Sequence, residues 1–407
     1  MAYYYVDDVE GFQAVTHMLR VCSEYFSVPT VVDGEELKEK LKMLNELYVI
    51  WTEDKLDDSS YPSGVYKLVC EMFSKNVFRR SPLFSYILED EINAELMWEF
   101  KQLSPVYKVF TAFVNLKGFD GEKLAPYVDE TFISALTRRL QDSCVEAERE
   151  GLKQILSDLF EKALYLREYV LLGIINSLIN YGPMSINGGV NELLEVFQIL
   201  MCHKMVGSPT IFKVLSPLVK RNGLCHYAVR LQKCFEAAAR YVDARLPARF
   251  VDDAIGNWQA SAADVPSLCR TLAALYFDMC GPESRPLVRG RLVGHVADKL
   301  RQLAADASAA VCLAYAEICG RLLDDEVAGR EHVADMERVA EGLIAVHTKH
   351  RDYGCVERVD RLLRRLIDGG ADGRRSMVGD ACRLSVVEAL AGDRLRTMDE
   401  RLIDKEF

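Results

Sequence analysis

No apolar run in the sequence approaches the roughly 18 residues that a helical membrane span requires. Clusters of Lys and Arg are equally missing: 50 basic residues face 61 acidic ones, the net charge is −11, and no basic stripe supplies phosphate-neutralising contacts. Nucleic acid and membrane are therefore not expected partners. Twelve cysteines are present, but no CxxC pair, and the chain opens on MAYYYVDD rather than on a secretory leader. Most cysteines sit in apolar stripes, as Cys234 does in QKCFEAAARY, and read as buried reduced thiols. A soluble intracellular protein, cytoplasmic and/or nuclear, is the expectation.

Signatures of catalysis are also missing. The sequence holds no Gly-rich phosphate loop, HExxH, GxSxG or calcium loop. Its seven histidines are scattered. His347 and His350 stand three apart and could share a helix face, yet no neighbouring Cys pair or carboxylate completes a metal set, so a solvated helix end is the simpler reading. His203 and His226 read as capping or packing residues. Carboxylates are too numerous to single out an acid–base pair. No catalytic residue, metal or cofactor is expected, and the chain does not read as an enzyme.

Helical periodicity is what the sequence has in abundance. From Glu146 to Leu200 an amphipathic helix carries Leu152, Ile155, Leu156, Leu159, Phe160, Ala163 and Leu164 at three- and four-residue steps. After a break at Tyr181–Pro183 and Asn187–Gly189, another helix places Val190, Leu193, Leu194, Phe197, Leu200 and Met201 on one side, and the two stripes must cover each other. Upstream, helices are expected over 12–26 (stopped by Pro29), over 35–51 with Leu37, Leu41, Leu44, Leu47 and Tyr48 inward, and from Pro62 onward. An acidic segment with Glu89, Asp90, Glu91 and Glu95 runs to Trp98, a helix follows through Val106, Phe110 and Phe113, and another spans 124–140.

Each helix pair takes about 40 residues, the period of HEAT and armadillo units, which bury their faces only by stacking. The expected fold is an all-α, HEAT/armadillo-like α-solenoid of antiparallel helix pairs. Residues 1–10 form a short lead-in, 11–368 the repeat array, and 369–407, opening on the Gly-rich GGADGRR, a tail or last helix. Beyond Phe235 lysine nearly vanishes, leaving Lys299, Lys349 and Lys405, yet helical spacing continues unchanged, so coding bias explains the shift better than a new fold.

Several blocks between Val106 and Trp258 resemble one family in the right order: VYKVFTAFV, QDSCVEAEREGLK (similar to the family's acidic DSEDPRERDFLK), LYLREYVLLGIINSLI, GGVNELLEVFQIL, IFKVLSPL and the NW at Trp258. MLRVCSEYF and YPSGVYKLVCEMF resemble its first repeats, and beyond Trp258 the likeness fades to helix spacing with an echo at KHRDYGCVERVDRLLRRLI. The family is the B-prime regulatory subunits of the type 2A protein serine/threonine phosphatase, which are HEAT-like solenoids.

The resemblance implies a non-catalytic subunit that joins a scaffold subunit to a metal-dependent catalytic subunit and selects phosphoprotein substrates. Glu89, Asp90, Glu91, Glu95 and Trp98 keep the spacing of the family's acidic loop and tryptophan that lie near the catalytic subunit; without the resemblance they read as a solvated acidic loop and a core tryptophan. The segment from Trp98 to Tyr107 is two residues longer than the family pattern.

The family also binds short linear motifs of the form L-x-x-I-x-E between neighbouring repeats. In gapless register its apolar side falls on Val196 and Leu200, a basic contact on Arg167, and a tyrosine on Phe160. The His and Arg that receive the peptide's glutamate fall on Ser157 and Asp158. Loss of that cation, with Lys162 one turn away as partial compensation, implies weakened acidic-motif recognition. A freestanding helical-repeat adaptor or transport receptor is the alternative left by the residues alone, and an enzyme with a cryptic site a more remote one.

Overall fold

In the computed structural model the described residues are 9–24, 34–53, 61–78, 89–181, 189–256, 261–303, 308–324, 333–350, 352–368, 378–379 and 381–391. They fold as an all-α solenoid, and no strand occurs among them. The chain divides into two compact units, Met1–Met205 and Val206–Phe407.

The first unit contains α1 (Val9–Cys22), α2 (Gly34–Thr52), α3 (Ser63–Val77), α4 (Glu89–Val114), α5 (Gly121–Leu124), α6 (Glu130–Asp142), α7 (Glu146–Lys162), α8 (Arg167–Ile179) and α9 (Val190–Cys202). Helices alternate between two rows: α2, α4, α7 and α9 pack successively against one another, while α1 lies on α3 and α6 on α8. Cross-row contacts of α1 with α2, α6 with α7 and α8 with α9 close the layers. Such stacking is how an amphipathic helix pair with no partner of its own buries its apolar stripe.

The second unit repeats the scheme. One row is α10 (Ser208–Val219), α12 (Leu246–Gly256), α14 (Arg285–Gln302) and α16 (Val333–Lys349). The other is α11 (Ala228–Tyr241), α13 (Val265–Ala273), α15 (Ala309–Asp324) and α17 (Tyr353–Asp368), and residues 381–391 are also helical. A turn at Leu224–His226 is entered through Gly223 at φ 85°, a conformation that a side chain would strain. Asp264 holds this turn by accepting from the Gly223 and Cys225 N–H groups at 3.0 and 3.1 Å.

Local chemistry explains the boundaries. Asp129 caps α6 by accepting from the Phe132 N–H at 2.9 Å, so the helix expected over 124–140 becomes the short α5, a turn and α6. Pro62 stands at the N-cap of α3. A single helix, α4, runs through the acidic segment and the Val106–Phe113 stretch, because Pro105 removes only one N–H from its ladder. The Pro29 stop, Trp258 and the GGADGRR segment lie outside the described residues.

In α2 the inward face differs from the expected one. Leu44 and Leu47 are buried, but Tyr48 is exposed and Leu37 and Leu41 are half-buried, while Lys40 and Trp51 complete the inner stripe. The Lys40 ammonium explains the rotation: it donates to Asn76 Oδ1 and to the Glu24 carbonyl, each at 2.6 Å. Asn76 in turn donates to the Cys22 and Met72 carbonyls at 2.9 and 2.7 Å, so one polar knot ties α1, α2 and α3. Beside it Trp51, Tyr61, Tyr66 and Phe113 form an aromatic cluster, with Trp51 Nε1 donating to the Tyr61 hydroxyl at 3.0 Å.

Burial lowers the Lys40 pKa from 10.5 to about 8. Between those values the unfolded chain keeps a proton that the folded chain has released, so rising pH favours the folded state. Unfolding by urea from pH 8 to 10.5 is expected to show a rise in stability of about 3 kcal/mol that the Lys40→Met chain lacks; equal slopes in both chains would refute the assignment.

Candidate partner-binding site

The stretch from Glu146 to Leu200 forms the centre of the first unit. α7 packs on α4, α6 and α9, and its stripe from Leu152 to Ala163 is buried against them. Val190, Leu193, Leu194, Phe197, Leu200 and Met201 are all buried on α9, and α7 and α9 lie in contact. Leu164 departs from the expected stripe and is 66 % exposed. The helix ends at Lys162, where Ala163 leaves helical geometry (φ −116°, ψ 87°), and a 3₁₀ turn at Leu164–Leu166 restarts the chain as α8 on a new axis.

Charged side chains lock this arrangement from inside. Glu148, in the first turn of α7, accepts from Arg139 Nε at 2.9 Å, from the Tyr107 hydroxyl at 2.5 Å and from the Ser143 hydroxyl at 2.5 Å. Glu148 and Arg139 are both buried. Burial and the adjacent carboxylate push the Tyr107 phenol well above its ordinary range, so it remains a donor. One residue on, Arg149 Nε donates to Glu192 of α9 at 3.0 Å and its NH1 to the Ser143 carbonyl at 3.2 Å. Lys153 reaches Glu195 of α9 at 2.6 Å. The segment QDSCVEAEREGLK thus supplies one partner of each pair, Glu148, Arg149 and Lys153, in a charge ladder that joins α4, α6, α7 and α9. Sequence reading found the segment but not Arg139, because its partner is chosen by packing across a turn.

The six groove residues fall into three environments. Ser157 is half-buried, its hydroxyl donating back to the Lys153 carbonyl at 3.0 Å. Asp158 is 6 % exposed and faces α4: its oxygens accept from Asn115 Nδ2 at 2.9 Å and from Gln154 Nε2 at 2.8 Å. Burial raises its pKa, against the pull of those two hydrogen bonds. Val196 and Leu200 are fully within the core between α9 and its neighbours.

Phe160 and Arg167 come together. The Arg167 guanidinium carbon lies 5.0 Å from the centroid of the Phe160 ring, and its Nε donates to the Phe160 carbonyl at 3.1 Å. His203, not selected with the groove residues, meets the same ring edge-on at 5.2 Å and is exposed. It caps α9, whose end is closed by bonds from the Lys204 N–H to the Met201 carbonyl and from the Met205 N–H to the Leu200 carbonyl, with Lys204 at φ 57°. An imidazole and a guanidinium therefore flank one aromatic ring. Glu89, Asp90, Glu91, Glu95 and Trp98 belong to the N-terminal half of α4, and their side chains lie outside the described residues.

Stacked amphipathic helix pairs, tied by buried polar side chains bonded from helix to helix, define a helical-repeat protein. The sequence profile of the family described as "Protein phosphatase 2A regulatory B subunit (B56 family)" matches residues 9–263, well over half of the chain, and the chain belongs to that family. The family is one of non-catalytic regulatory subunits, and this chain is not an enzyme. The match reaches beyond both ends of the Val106–Trp258 region where the resemblance is densest. No curated protein matches the chain.

Glu148→Ala leaves the Arg139 guanidinium buried without its carboxylate and is expected to lower unfolding free energy by about 3–5 kcal/mol. The double change Arg139→Met with Glu148→Leu should recover most of that loss, because no unpaired charge remains. Urea titrations of the three chains check this; a loss under about 1 kcal/mol for Glu148→Ala would show that the pair is not a structural lock.

Proposed function

We propose that this chain is a substrate-selecting subunit of a type 2A protein serine/threonine phosphatase, binding the scaffold and catalytic subunits and bringing phosphoproteins to the active site of the latter. Membership of the B56 family carries this reading, and it fits a chain whose described residues spend their buried polar groups on packing. The acidic residues Glu89, Asp90, Glu91 and Glu95 with Trp98 are the proposed face toward the catalytic subunit. Cytoplasm and nucleus are the proposed sites of action.

The test is reconstitution. The purified chain mixed with purified scaffold and catalytic subunits is expected to elute as a three-component complex in size-exclusion chromatography. Charge reversal at Glu89, Asp90 and Glu91 together is expected to weaken it by more than about tenfold. A chain that stays folded and elutes alone would favour the freestanding adaptor.

Substrate motifs are proposed to dock around α7, α8 and α9 with little selection for a terminal acid. Ser157 carries no charge, and Asp158 is a carboxylate bonded to Asn115 and Gln154, so neither offers a cation to the peptide glutamate. Arg167 and His203, on either side of Phe160, are the basic groups nearest in kind to what such a peptide needs. In fluorescence polarisation, an L-x-x-I-x-E peptide and its Gln-ended analogue are expected to bind within about tenfold of each other. Micromolar binding of the acidic peptide alone, abolished by Arg167→Ala in a chain that keeps its helical circular-dichroism spectrum, would overturn the altered groove.

A further inference from the structure

In the second unit, well past the matched residues 9–263, three metal-ligand side chains converge that the sequence separates by up to 43 positions. Cys312 lies in the first turn of α15, His350 directly follows α16, and Cys355 lies in the first turn of α17. One ligand atom from each lies within 4.8 Å of the others. His347, the histidine that the sequence paired with His350, takes no part: it is buried, not solvated, with its Nε2 4.0 Å from Asp360.

We infer that Cys312, His350 and Cys355 form a zinc site that clips α15, α16 and α17 together. Two thiols and one imidazole are a donor set suited to a borderline-soft cation with tetrahedral preference, not to calcium or magnesium, which take oxygen. With Zn–S near 2.3 Å and Zn–N near 2.0 Å, the ligand atoms of a tetrahedral site stand about 3.3–3.8 Å apart, so a cluster whose ligand atoms lie within 4.8 Å of one another needs a contraction of at most about 1.5 Å. The two sulfurs already lie within 4.8 Å of each other and of the imidazole. On metal binding both thiols lose their protons to solvent as the two Zn–S bonds form.

Asp352 is bonded to two of the three ligand residues. The Asp352 N–H donates to His350 Nδ1 at 3.1 Å, so the lone pair of the neutral ring is at Nδ1, and a metal would take that lone pair in place of the N–H. Asp352 Oδ1 accepts from the Cys355 N–H at 2.8 Å, fixing the turn that presents Cys355. Both cysteines are buried while His350 is half-buried and Asp352 exposed, so the fourth position falls on the solvent side and goes to water. α17 packs on both α15 and α16, and the ion would add a covalent-strength tie across all three.

The test uses the full chain, reduced and freed of metal, titrated with cobalt as a spectroscopic stand-in for zinc. One cobalt per chain is expected, with a near-ultraviolet sulfur-to-cobalt charge-transfer band and the visible bands of a tetrahedral ion, all erased by equimolar zinc. Cys312→Ser and Cys355→Ser should each diminish the charge-transfer band and weaken zinc binding by more than about tenfold. Cys234→Ser, at a buried cysteine of α11, should change neither. His350→Asn, at a half-buried position outside the helices, should keep the helical circular-dichroism spectrum and alter the visible bands. Chelator is expected to lower the melting temperature of the wild-type chain and not that of His350→Asn. Absence of the sulfur band at equimolar cobalt, or its persistence in both Ser variants, would overturn the site. Because the readout needs no phosphatase subunit, its outcome is independent of the proposed function.

Discussion

Arg139 and Glu148 are charges that folding takes out of water, and the first unit is arranged around keeping them together. Neither side chain can be buried alone without a penalty of several kcal/mol, so the ends of α6 and α7 must meet in one register. Tyr107 and Ser143 then satisfy the remaining lone pairs of the carboxylate, which brings α4 and the α6–α7 turn into the same arrangement. Apolar stripes could slide by a helical turn and still be covered. A buried ion pair with its hydrogen bonds cannot, and Arg149–Glu192 and Lys153–Glu195 carry the same restriction across to α9.

This restriction determines what the candidate groove can offer. Because α7 is held in register, Asp158 turns toward Asn115, directly after α4, while Phe160, two residues on, turns toward Arg167 and His203. Two residues on one helix are about 200° apart, so they cannot serve one surface. The position that the resemblance pairs with a glutamate-binding cation is thus occupied by a packing carboxylate, and basic character moves to the Phe160 ring.

The restraint proposed for the second unit is of a different kind. Its helices follow the same two-row stacking, but α15, α16 and α17 also bring a Cys–His–Cys cluster to one point. Lys40 in the first unit is the counterpart: a buried group that fixes three helices through directional bonds rather than area. In the first unit, polar side chains determine which of several compatible apolar packings is adopted.

Helix class, the two-row stacking implied by amphipathic pairs, and the family were legible in the residues, because period and block order are local properties that a linear sequence carries directly. The stripe of α7 from Leu152 to Ala163 and the whole inner face of α9 could be read in this way. Leu164, Tyr48 and Lys40 could not, since their burial depends on where a helix ends or which partner claims an ammonium group. In the sequence His350 reads with His347 and is set aside for want of further ligands, because the cysteines near it in space stand 38 residues before and five after; only the packing of three helix ends puts the sulfurs beside it. Local periodicity is written along the chain, whereas the meeting of Arg139 with Glu148, or of Cys312 with Cys355, is a property of distances through space and was decided by the tertiary fold.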